Sequence, residues 1–167
     1  MITQEELKTY LIYNPLSGNF FWRKQPSYKI PLGSIAGTYN DSGYIIIGIL
    51  GNRYRAHRLA FLYMLGKMPK NQVDHIDGDR SNNRWKNLRE VTPLVNAQNV
   101  HGASKNNKSG YLGVSWSKQH QKWRANLYIN KKQTHLGLFD TPEEAHACYL
   151  AAKAEHHIGW TNAMKGM

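Results

Sequence analysis

The sequence predicts an α+β protein built from several small antiparallel sheets and short helices. Runs of β-branched and aromatic residues, such as residues 44–49, are separated by turns rich in glycine and asparagine, as in short-stranded antiparallel sheets. Two Thr-x-x-Glu capping boxes, at residues 3–6 and 141–144, each mark the start of a helix. Thr92 followed by Pro93 marks another, because threonine is a good N-cap and proline suits the first helical position.

The first half of the chain is predicted to contain two helices and a small sheet. The first helix runs from the cap at Thr3 to about residue 10, and a strand follows at residues 19–23. Residues 33–51 alternate turns with β-branched runs and indicate a small antiparallel sheet. Residues 55–65 carry leucines at helical spacing, and Gly66 ends that helix.

Two short strands around a long polar loop are predicted at residues 73–76 and 88–91, and the helix at Thr92–Pro93 comes next. The segment rich in Asn, Lys, Ser and Gly that follows is interpreted as a linker. After it, three strands, at residues 111–116, 123–129 and 134–139, and one helix form a second compact unit. The predicted division is a β-rich leader at 1–54, a core at 55–100, a linker at 101–108 and a second unit at 109–162.

Charge indicates an anionic partner. Twenty-two Lys and Arg against eleven Asp and Glu leave a net charge of +11, and residues 102–139 hold seven cations and no acid. A merely soluble basic protein is the alternative on charge alone. No apolar run reaches membrane-spanning length, the N-terminus has no secretory character, and the lone Cys148 allows no internal disulfide. An intracellular protein is expected.

The densest polar cluster is Asp74-His75-Ile76-Asp77-Gly78-Asp79, which continues through several asparagines to Asn96. A carboxylate at a strand end and an amide oxygen from the next helix are hard ligands that suit one Mg²⁺ or Mn²⁺ ion. His75 points to the other side of the strand from Asp74 and could face a water. Two alternatives are a strand-end hydrogen bond between Asp74 and His75, and a calcium loop, although the closing Glu of an EF-hand is absent.

Residues 55–99 resemble the HNH endonucleases, in the phage and intron-encoded homing branch. The resemblance is carried by Arg-Ala-His-Arg-Leu, Val-Asp-His-Ile-Asp-Gly-Asp, Asn-Asn-Arg-Trp-Lys-Asn-Leu-Arg and Thr-Pro-Leu-Val-Asn-Ala-Gln-Asn. It implies a ββα-metal fold with His75 as general base, a metal ion held by Asp74 and Asn96, and Asn87 bracing the loop. Asp74 and Asn96 stand where other members often have histidine, which argues against zinc or nickel. His57 and Arg58 could lie near a DNA phosphate, and His57 could instead be a hydrogen-bonded part of the framework.

Residues 109–162 resemble the AP-two/ERF DNA-binding domain, which implies a three-stranded sheet laid in the major groove with a helix behind it. Strand alternation then assigns an inner face to Val114, Trp116, Trp123, Ala125 and Leu127. The expected DNA-facing residues are Ser115, Ser117, Arg124, Asn126, Tyr128, Gln133 and His135, with Lys118, Lys122, Lys131 and Lys132 near the backbone. For the two tryptophans, core packing is preferred over base stacking.

Together these features predict a metal-dependent endonuclease that acts on double-stranded DNA, with phosphodiester hydrolysis leaving 5′-phosphate and 3′-hydroxyl ends. A monomer that nicks, located in the cytoplasm of a host cell if phage-encoded, is the expected form. Two rivals remain: a non-enzymatic DNA-binding protein with a decayed nuclease unit, and an RNA-directed or structural protein with a basic sheet.

Overall fold

The computed structural model describes residues 1–100, 102–103 and 106–160, so parts of the predicted linker and the end of the predicted second domain lie outside the described residues. The chain divides into two compact units, Met1–Pro93 and the part that begins at Leu94. Within the described part of the chain, none of the helices is both long enough and apolar enough to cross a membrane.

The first unit opens with helix α1, Gln4–Tyr10, which begins at the predicted capping box. The Glu6 amide donates to Thr3 Oγ1 at 3.1 Å, and the Thr3 amide donates to Glu6 Oε2 at 2.9 Å, so both ends of the box are satisfied. Strands β1, Leu11–Tyr13, and β2, Phe20–Trp22, follow and pair as an antiparallel hairpin.

A three-stranded antiparallel sheet comes next, made of β3, Thr38–Tyr39, β4, Ile45–Ile49, and β5, Asn52–Arg55. Helix α2, Ala56–Leu65, starts directly after β5 and ends before Gly66, as predicted. Strands β6, Gln72–His75, and β7, Leu88–Val91, form a two-stranded antiparallel sheet. The polar loop between them closes with a 3₁₀ turn at Trp85–Asn87, and helix α3, Pro93–Gln98, follows β7.

One hydrophobic core joins all parts of the first unit. Leu7 of α1, Leu11 of β1, Phe20 of β2, Ile47 of β4 and Leu59 of α2 are almost completely buried in it. Val73 and Leu88, from the two strands that flank the polar loop, belong to the same cluster. Burying one such side chain fully contributes about 1.5–3 kcal/mol. The predicted leader at 1–54 therefore folds as one body with residues 55–93.

The second unit has strands β8, Val114–Ser117, β9, Lys122–Ile129, and β10, Lys132–Phe139, in the order β8-β9-β10. All pairings are antiparallel, with a bulge between His135 and Gly137. Helix α4, Pro142–His156, starts at the predicted capping box at Thr141 and packs on the sheet. Their shared core is formed by Val114, Ala125, Leu127, Ala145 and Tyr149.

The predicted mixed α and β class is confirmed, and three details differ. Strands β1, β3 and β5 were not predicted as separate strands, while residues 34–36 form only an isolated bridge between Phe21 and Ile35. Strand β8 begins at Val114 rather than at residue 111. Gly113, just before this strand, has a φ of 76°, so the chain still turns there. A Cβ at this position would lie 2.1 Å from the Tyr149 ring, which leaves room only for glycine.

The division between the two units falls earlier than the predicted linker. Residues 94–100 belong to the second unit: Val100 O accepts a hydrogen bond from Lys153 Nζ, and Gln98 Oε1 accepts one from the Gly159 amide at 3.0 Å. The predicted domain limits, as limits of function, stay predictions.

Candidate active site and nucleic-acid interface

Asp74 lies on β6 and is held by the neighbouring strand. Its register partner across the sheet is Arg89 of β7, whose Nε and Nη2 both donate to Asp74 Oδ2, at 2.8 and 2.7 Å. Asp74 is only 7% exposed, while the arginine side chain remains partly exposed. This charge-assisted contact fixes the orientation of the carboxylate at the end of the strand.

His75, the next residue, is 4% exposed and contacts the polar loop. Its Nε2 lies 3.2 Å from Asn83 Oδ1, and Asn83 Nδ2 already donates to Ser81 O at 3.1 Å. Because an amide oxygen only accepts, His75 Nε2 carries the proton and Nδ1 carries the lone pair. Burial lowers the pKa of His75 below its ordinary value, although Asn83 and nearby aspartates oppose that shift.

Two further rings stand beside His75. The His57 ring centroid lies 5.1 Å from that of His75, and the Tyr44 centroid lies 5.3 Å from His57 and 6.0 Å from His75. Burial chiefly, with smaller contributions from coupling to His75 and from the positive charges of Arg55 and Arg58, lowers the pKa of His57 to about 3. His57 is therefore neutral at physiological pH and packs as part of the framework around His75, the second of the two roles considered for it.

Asn87 makes hydrogen bonds to both sides of the polar loop. Its Nδ2 donates to Asp77 Oδ1 at 2.9 Å and to Asn82 O at 2.8 Å, and its Oδ1 accepts from the Asp77 amide at 3.1 Å. The other Asp77 oxygen accepts from Asn82 Nδ2 at 2.6 Å, and Asp79 Oδ1 accepts from the Ser81 amide and hydroxyl. The acids of this turn thus organise the loop itself, which fits the bracing role expected of Asn87 and gives no support to a calcium loop.

The hairpin β1–β2 supports the same loop from behind. Tyr13 Oη donates to Asn83 O at 2.6 Å, and the Trp85 amide donates to Pro15 O at 3.0 Å. Gly18, with φ 79°, lies so close that a Cβ there would meet Arg84 N at 2.4 Å. The residue that contacts His75 is therefore positioned by a segment some seventy residues earlier in the sequence.

Arg58 holds the chain between α2 and β6. Its Nη2 donates to Pro69 O at 2.7 Å and its Nη1 to Asn71 O at 3.2 Å. Those contacts use two of its donors for the fold, which favours the framework role over the predicted DNA contact.

The proposed metal ligands fit a hard divalent cation by their chemistry. Asp74 offers a carboxylate, and Asn96, which lies on α3 in the second unit, offers an amide oxygen. Within residues 1–100, 102–103 and 106–160, no group of three or more His, Cys, Asp and Glu side chains is arranged to hold a metal.

The outer face of the sheet in the second unit carries most of the predicted DNA-facing residues. Arg124, Tyr128, Gln133 and His135 are exposed, and Ser115 and Asn126 are half-buried. The register pairs Gln133 with Tyr128 and His135 with Asn126, so these polar side chains lie side by side on the two longest strands. Lys118, Lys131 and Lys132, at the turns, are also exposed.

Two residues of this sheet, Ser117 and Trp116, differ from the alternation prediction. Ser117 is 8% exposed and its hydroxyl lies 3.1 Å from His120 Nδ1, because the strand ends there in a turn; it does not belong to the open face. Trp116 is 43% exposed and packs edge-on against Trp123, with ring centroids 5.1 Å apart, instead of lying in the core. Lys122 pairs with Asp140 at 3.0 Å.

Residues 54–98 match a family model described as HNH endonuclease. Protein 3.8 of Escherichia phage T7 is 35% identical over 92 residues, which cover 54% of this chain and 75% of that protein. The chain belongs to the HNH endonuclease family. A solved structure of the HNH homing endonuclease I-HmuI, described by its DNA binding and cleavage, is 27% identical with a TM-score of 0.43. That alignment covers 55% of this chain, and the chain spans about half the length of that endonuclease.

The family match includes Asp74, His75, Asn87 and Asn96 and stops before the sheet of the second unit. Three residues that support this HNH segment could not be recognised from the sequence: Asn83, Arg89 and Tyr44. Asn83 was visible only as one of several asparagines in the loop. The pairing of Arg89 with Asp74 could be predicted only if the register of β6 on β7 were known. A shift by one residue would place the Arg89 side chain on the opposite face of the sheet.

Proposed function

We propose that the protein is a metal-dependent DNA endonuclease that hydrolyses phosphodiester bonds in double-stranded DNA, of the phage homing type. The observation that carries this proposal is the arrangement at the end of β6. A neutral, buried imidazole, His75, stands next to an oriented carboxylate, Asp74, on the strand that leads into a braced loop. Both residues lie in the segment that matches the family.

His75 is the general base of the proposed reaction. Its Nε2–H donates to Asn83, so Nδ1 is the atom that accepts a proton from the attacking water. The water oxygen forms a bond to phosphorus as the bond to the 3′ oxygen breaks, and the departing 3′ oxygen takes a proton from solvent, leaving a 5′-phosphate and a 3′-hydroxyl. Burial favours the neutral form of His75, which is the form that can accept the proton.

Asp74 and Asn96 are the residues that would hold the divalent cation, Mg²⁺ or Mn²⁺. When bound, the cation supplies positive charge to the scissile phosphate and to the departing 3′ oxygen. Arg89 holds Asp74 through one carboxylate oxygen. It thereby limits the directions in which the carboxylate can offer its oxygens to a cation.

The second unit is proposed to hold the DNA, in the manner of the AP-two/ERF domains that it resembles. Its exposed sheet face combines Arg124 and Tyr128 with amide and imidazole groups that can donate to or accept from base edges. The lysines at the turns would contact phosphates, which gives affinity without sequence preference. We propose that the protein acts as a monomer.

The direct test is incubation of the protein with supercoiled plasmid in Mg²⁺, in Mn²⁺ and in EDTA, with His75→Ala as the control for a contaminating nuclease. Nicked or linear plasmid in the metal lanes alone, absent with the variant, is the expected result. Binding without cleavage under every metal condition would instead identify a DNA-binding protein whose nuclease unit is inactive. Preference for RNA over duplex DNA in competition would overturn the choice of substrate.

A further inference from the structure

Two arginines stack on the aromatic ring that packs beside His75. The guanidinium carbon of Arg55 lies 4.6 Å from the Tyr44 ring centroid, and that of Arg80 lies 5.2 Å from it. Tyr44 immediately precedes β4, Arg55 ends β5, and Arg80 lies in the polar loop after β6. The ring therefore collects two positive charges from separate parts of the first unit, one ring away from the proposed general base.

The stack is held in place from several sides. Arg80 Nη1 donates to Ser42 O at 3.0 Å, which ties the loop to the turn before β4. In that turn, Asn40 Oδ1 accepts from the amides of Ser42 and Tyr44 at 3.1 and 2.9 Å. Tyr44 is half-buried, whereas both arginines are exposed. Both guanidinium groups thus lie over the Tyr44 ring, Arg80 with a hydrogen bond to the turn, and both remain open to solvent.

These charges are not neutralised inside the molecule. In the described part of the chain, neither Arg55 nor Arg80 pairs with a carboxylate, although Asp77 and Asp79 belong to the same loop as Arg80. Those acids use their oxygens to organise the loop. Two like charges gathered on one ring repel each other in the free protein, and an anion between or beside them relieves that repulsion.

We propose that Arg55, Tyr44 and Arg80 form an anion clamp that binds a backbone phosphate of the DNA next to the scissile one. This inference rests on the proposed function and adds residues to its substrate-binding surface. Arginine suits the role because its planar group can stack on an aromatic ring while its edge donates paired hydrogen bonds to phosphate oxygens. Stacking also restricts the guanidinium before DNA arrives, so that less side-chain entropy is lost on binding.

The position of the clamp has a consequence for catalysis. Successive phosphates of one DNA strand are linked covalently, so fixing one of them limits where its neighbour can lie. A phosphate held over Tyr44 would set the register of the strand relative to His75 Nδ1. Arg55 and Arg80 are therefore positioning residues that act on the substrate strand, and removing either should affect both binding and the rate of cleavage at saturating protein.

The test measures DNA binding under conditions in which cleavage cannot occur. Binding of a fluorescein-labelled duplex of about 30 base pairs is measured by anisotropy in EDTA over a range of NaCl concentrations. Arg55→Ala and Arg80→Ala should each reduce the magnitude of the slope of log K against log salt by roughly 0.9, and weaken binding roughly eightfold at 0.1 M salt if the lost contact contributes nothing at 1 M. Arg53→Ala is the matched control: Arg53 is an exposed cation on the same strand that does not stack on Tyr44.

Tyr44→Leu tests whether the ring organises the charges. It removes no cation, yet it should weaken duplex binding. In the Tyr44→Leu protein, adding Arg55→Ala should reduce the duplex affinity by less than Arg55→Ala does in the parent protein. Arg55→Lys should not restore binding, because lysine keeps the charge without the planar donor pair. Thermal unfolding of each variant checks that the first unit is folded, and a slope change confined to folded variants supports the clamp.

Equal effects of Arg53→Ala and Arg55→Ala, or additive effects of Tyr44→Leu and Arg55→Ala, would overturn the proposal in favour of unspecific attraction. The outcome is independent of the nuclease assignment, since binding is measured without metal. If the parent protein binds with the expected slope changes but never cuts plasmid, the clamp stands and the proposed function fails. If the parent protein cuts plasmid but the variants bind DNA as the parent does, the proposed function stands and the clamp fails.

Discussion

At the scale of single residues, His75→Ala should abolish cleavage while DNA affinity stays within a few-fold. Removing a general base costs roughly 10²- to 10⁴-fold in rate, whereas a neutral imidazole contributes no phosphate contact. Single-turnover cleavage of plasmid and anisotropy with duplex DNA measure the two effects. Because His75 is buried, added imidazole can occupy the space left by the side chain, and partial recovery of cleavage with imidazole would distinguish lost chemistry from lost structure.

His156→Ala serves as the control for His75→Ala, since His156 is an exposed histidine at the end of α4. Cleavage by the control should match the parent protein. Full cleavage by a folded His75→Ala protein at neutral pH would remove His75 from the proposed role of base.

The two proposed ligands differ in charge, and their substitution should differ in severity. Asp74→Ala removes the carboxylate that would bind the cation and, with it, the acceptor of two hydrogen bonds from Arg89, so metal-dependent cleavage should be lost. Asn96→Ala removes a neutral oxygen, and higher Mn²⁺ should restore part of its activity. Cleavage measured against metal concentration tests both. Equal rescue of both variants would contradict this ranking, and activity of the parent protein in EDTA would remove the metal from the reaction.

His57 should make the first unit sensitive to acid. Its pKa is about 3 in the folded protein and about 6.5 in the unfolded chain, so the unfolded state binds the extra proton. The stability contributed by neutral His57 is complete above about pH 6.5 and is lost as the pH falls from there toward 3. Urea unfolding followed at several pH values should show this loss. His57→Gln should flatten the dependence, whereas His156→Gln should leave it unchanged.

At the scale of elements, the β1–β2 hairpin positions the loop that contacts His75. Gly18→Ala places a Cβ 2.4 Å from Arg84 N and keeps a strained φ, so Asn83 should move and cleavage should fall. Gly33→Ala is the matched control, because Gly33 has a similar φ of 75° but nothing within 4 Å of a Cβ. Both variants should lose about 1–3 kcal/mol from backbone strain.

Only Gly18→Ala should lose further stability and cleavage rate beyond that shared strain. Chemical unfolding and single-turnover cleavage provide the comparison. If the two glycine variants behave alike, the contact between the hairpin and the polar loop has no part in positioning His75.

At the scale of the whole molecule, a chain ending at residue 100 should keep the fold of residues 1–93, because their core is closed without the second unit. It should lose much of its DNA affinity, because the sheet face and its lysines are absent. The salt dependence of binding should fall as well, since each lost phosphate contact lowers the magnitude of the slope of log K against log salt by roughly 0.9. Its α3 also lacks Lys153 and Gly159, which hold Val100 and Gln98.

Because α3 carries Asn96, the truncated chain should need more Mn²⁺ than the full chain for cleavage of plasmid. Tryptophan fluorescence during urea unfolding checks that the first unit is intact. A truncated chain that binds duplex DNA with unaltered salt dependence would show that the second unit does something other than hold DNA.

Local sequence signals predicted the class of the protein and the main elements of both units. Capping boxes act within four residues, so the starts of α1 and α4 could be predicted from the chain alone and are confirmed by their hydrogen bonds. Local signals also identified strands β6 and β7. The acid–imidazole pair at residues 74–75 could be assigned to opposite sides of β6, because adjacent residues alternate across a strand. The family of the chain was also visible in these short motifs.

Only the tertiary structure decided how distant residues combine. The pairing of Asp74 with Arg89 depends on strand register, the contact of Tyr13 with Asn83 joins residues seventy positions apart, and the stack of Arg55 and Arg80 on Tyr44 joins three elements. The burial of Ser117 and the exposure of Trp116 likewise depend on where the strand ends and how far the helix covers it. Alternation and capping are set by neighbouring residues, whereas these contacts depend on the packing of the whole unit.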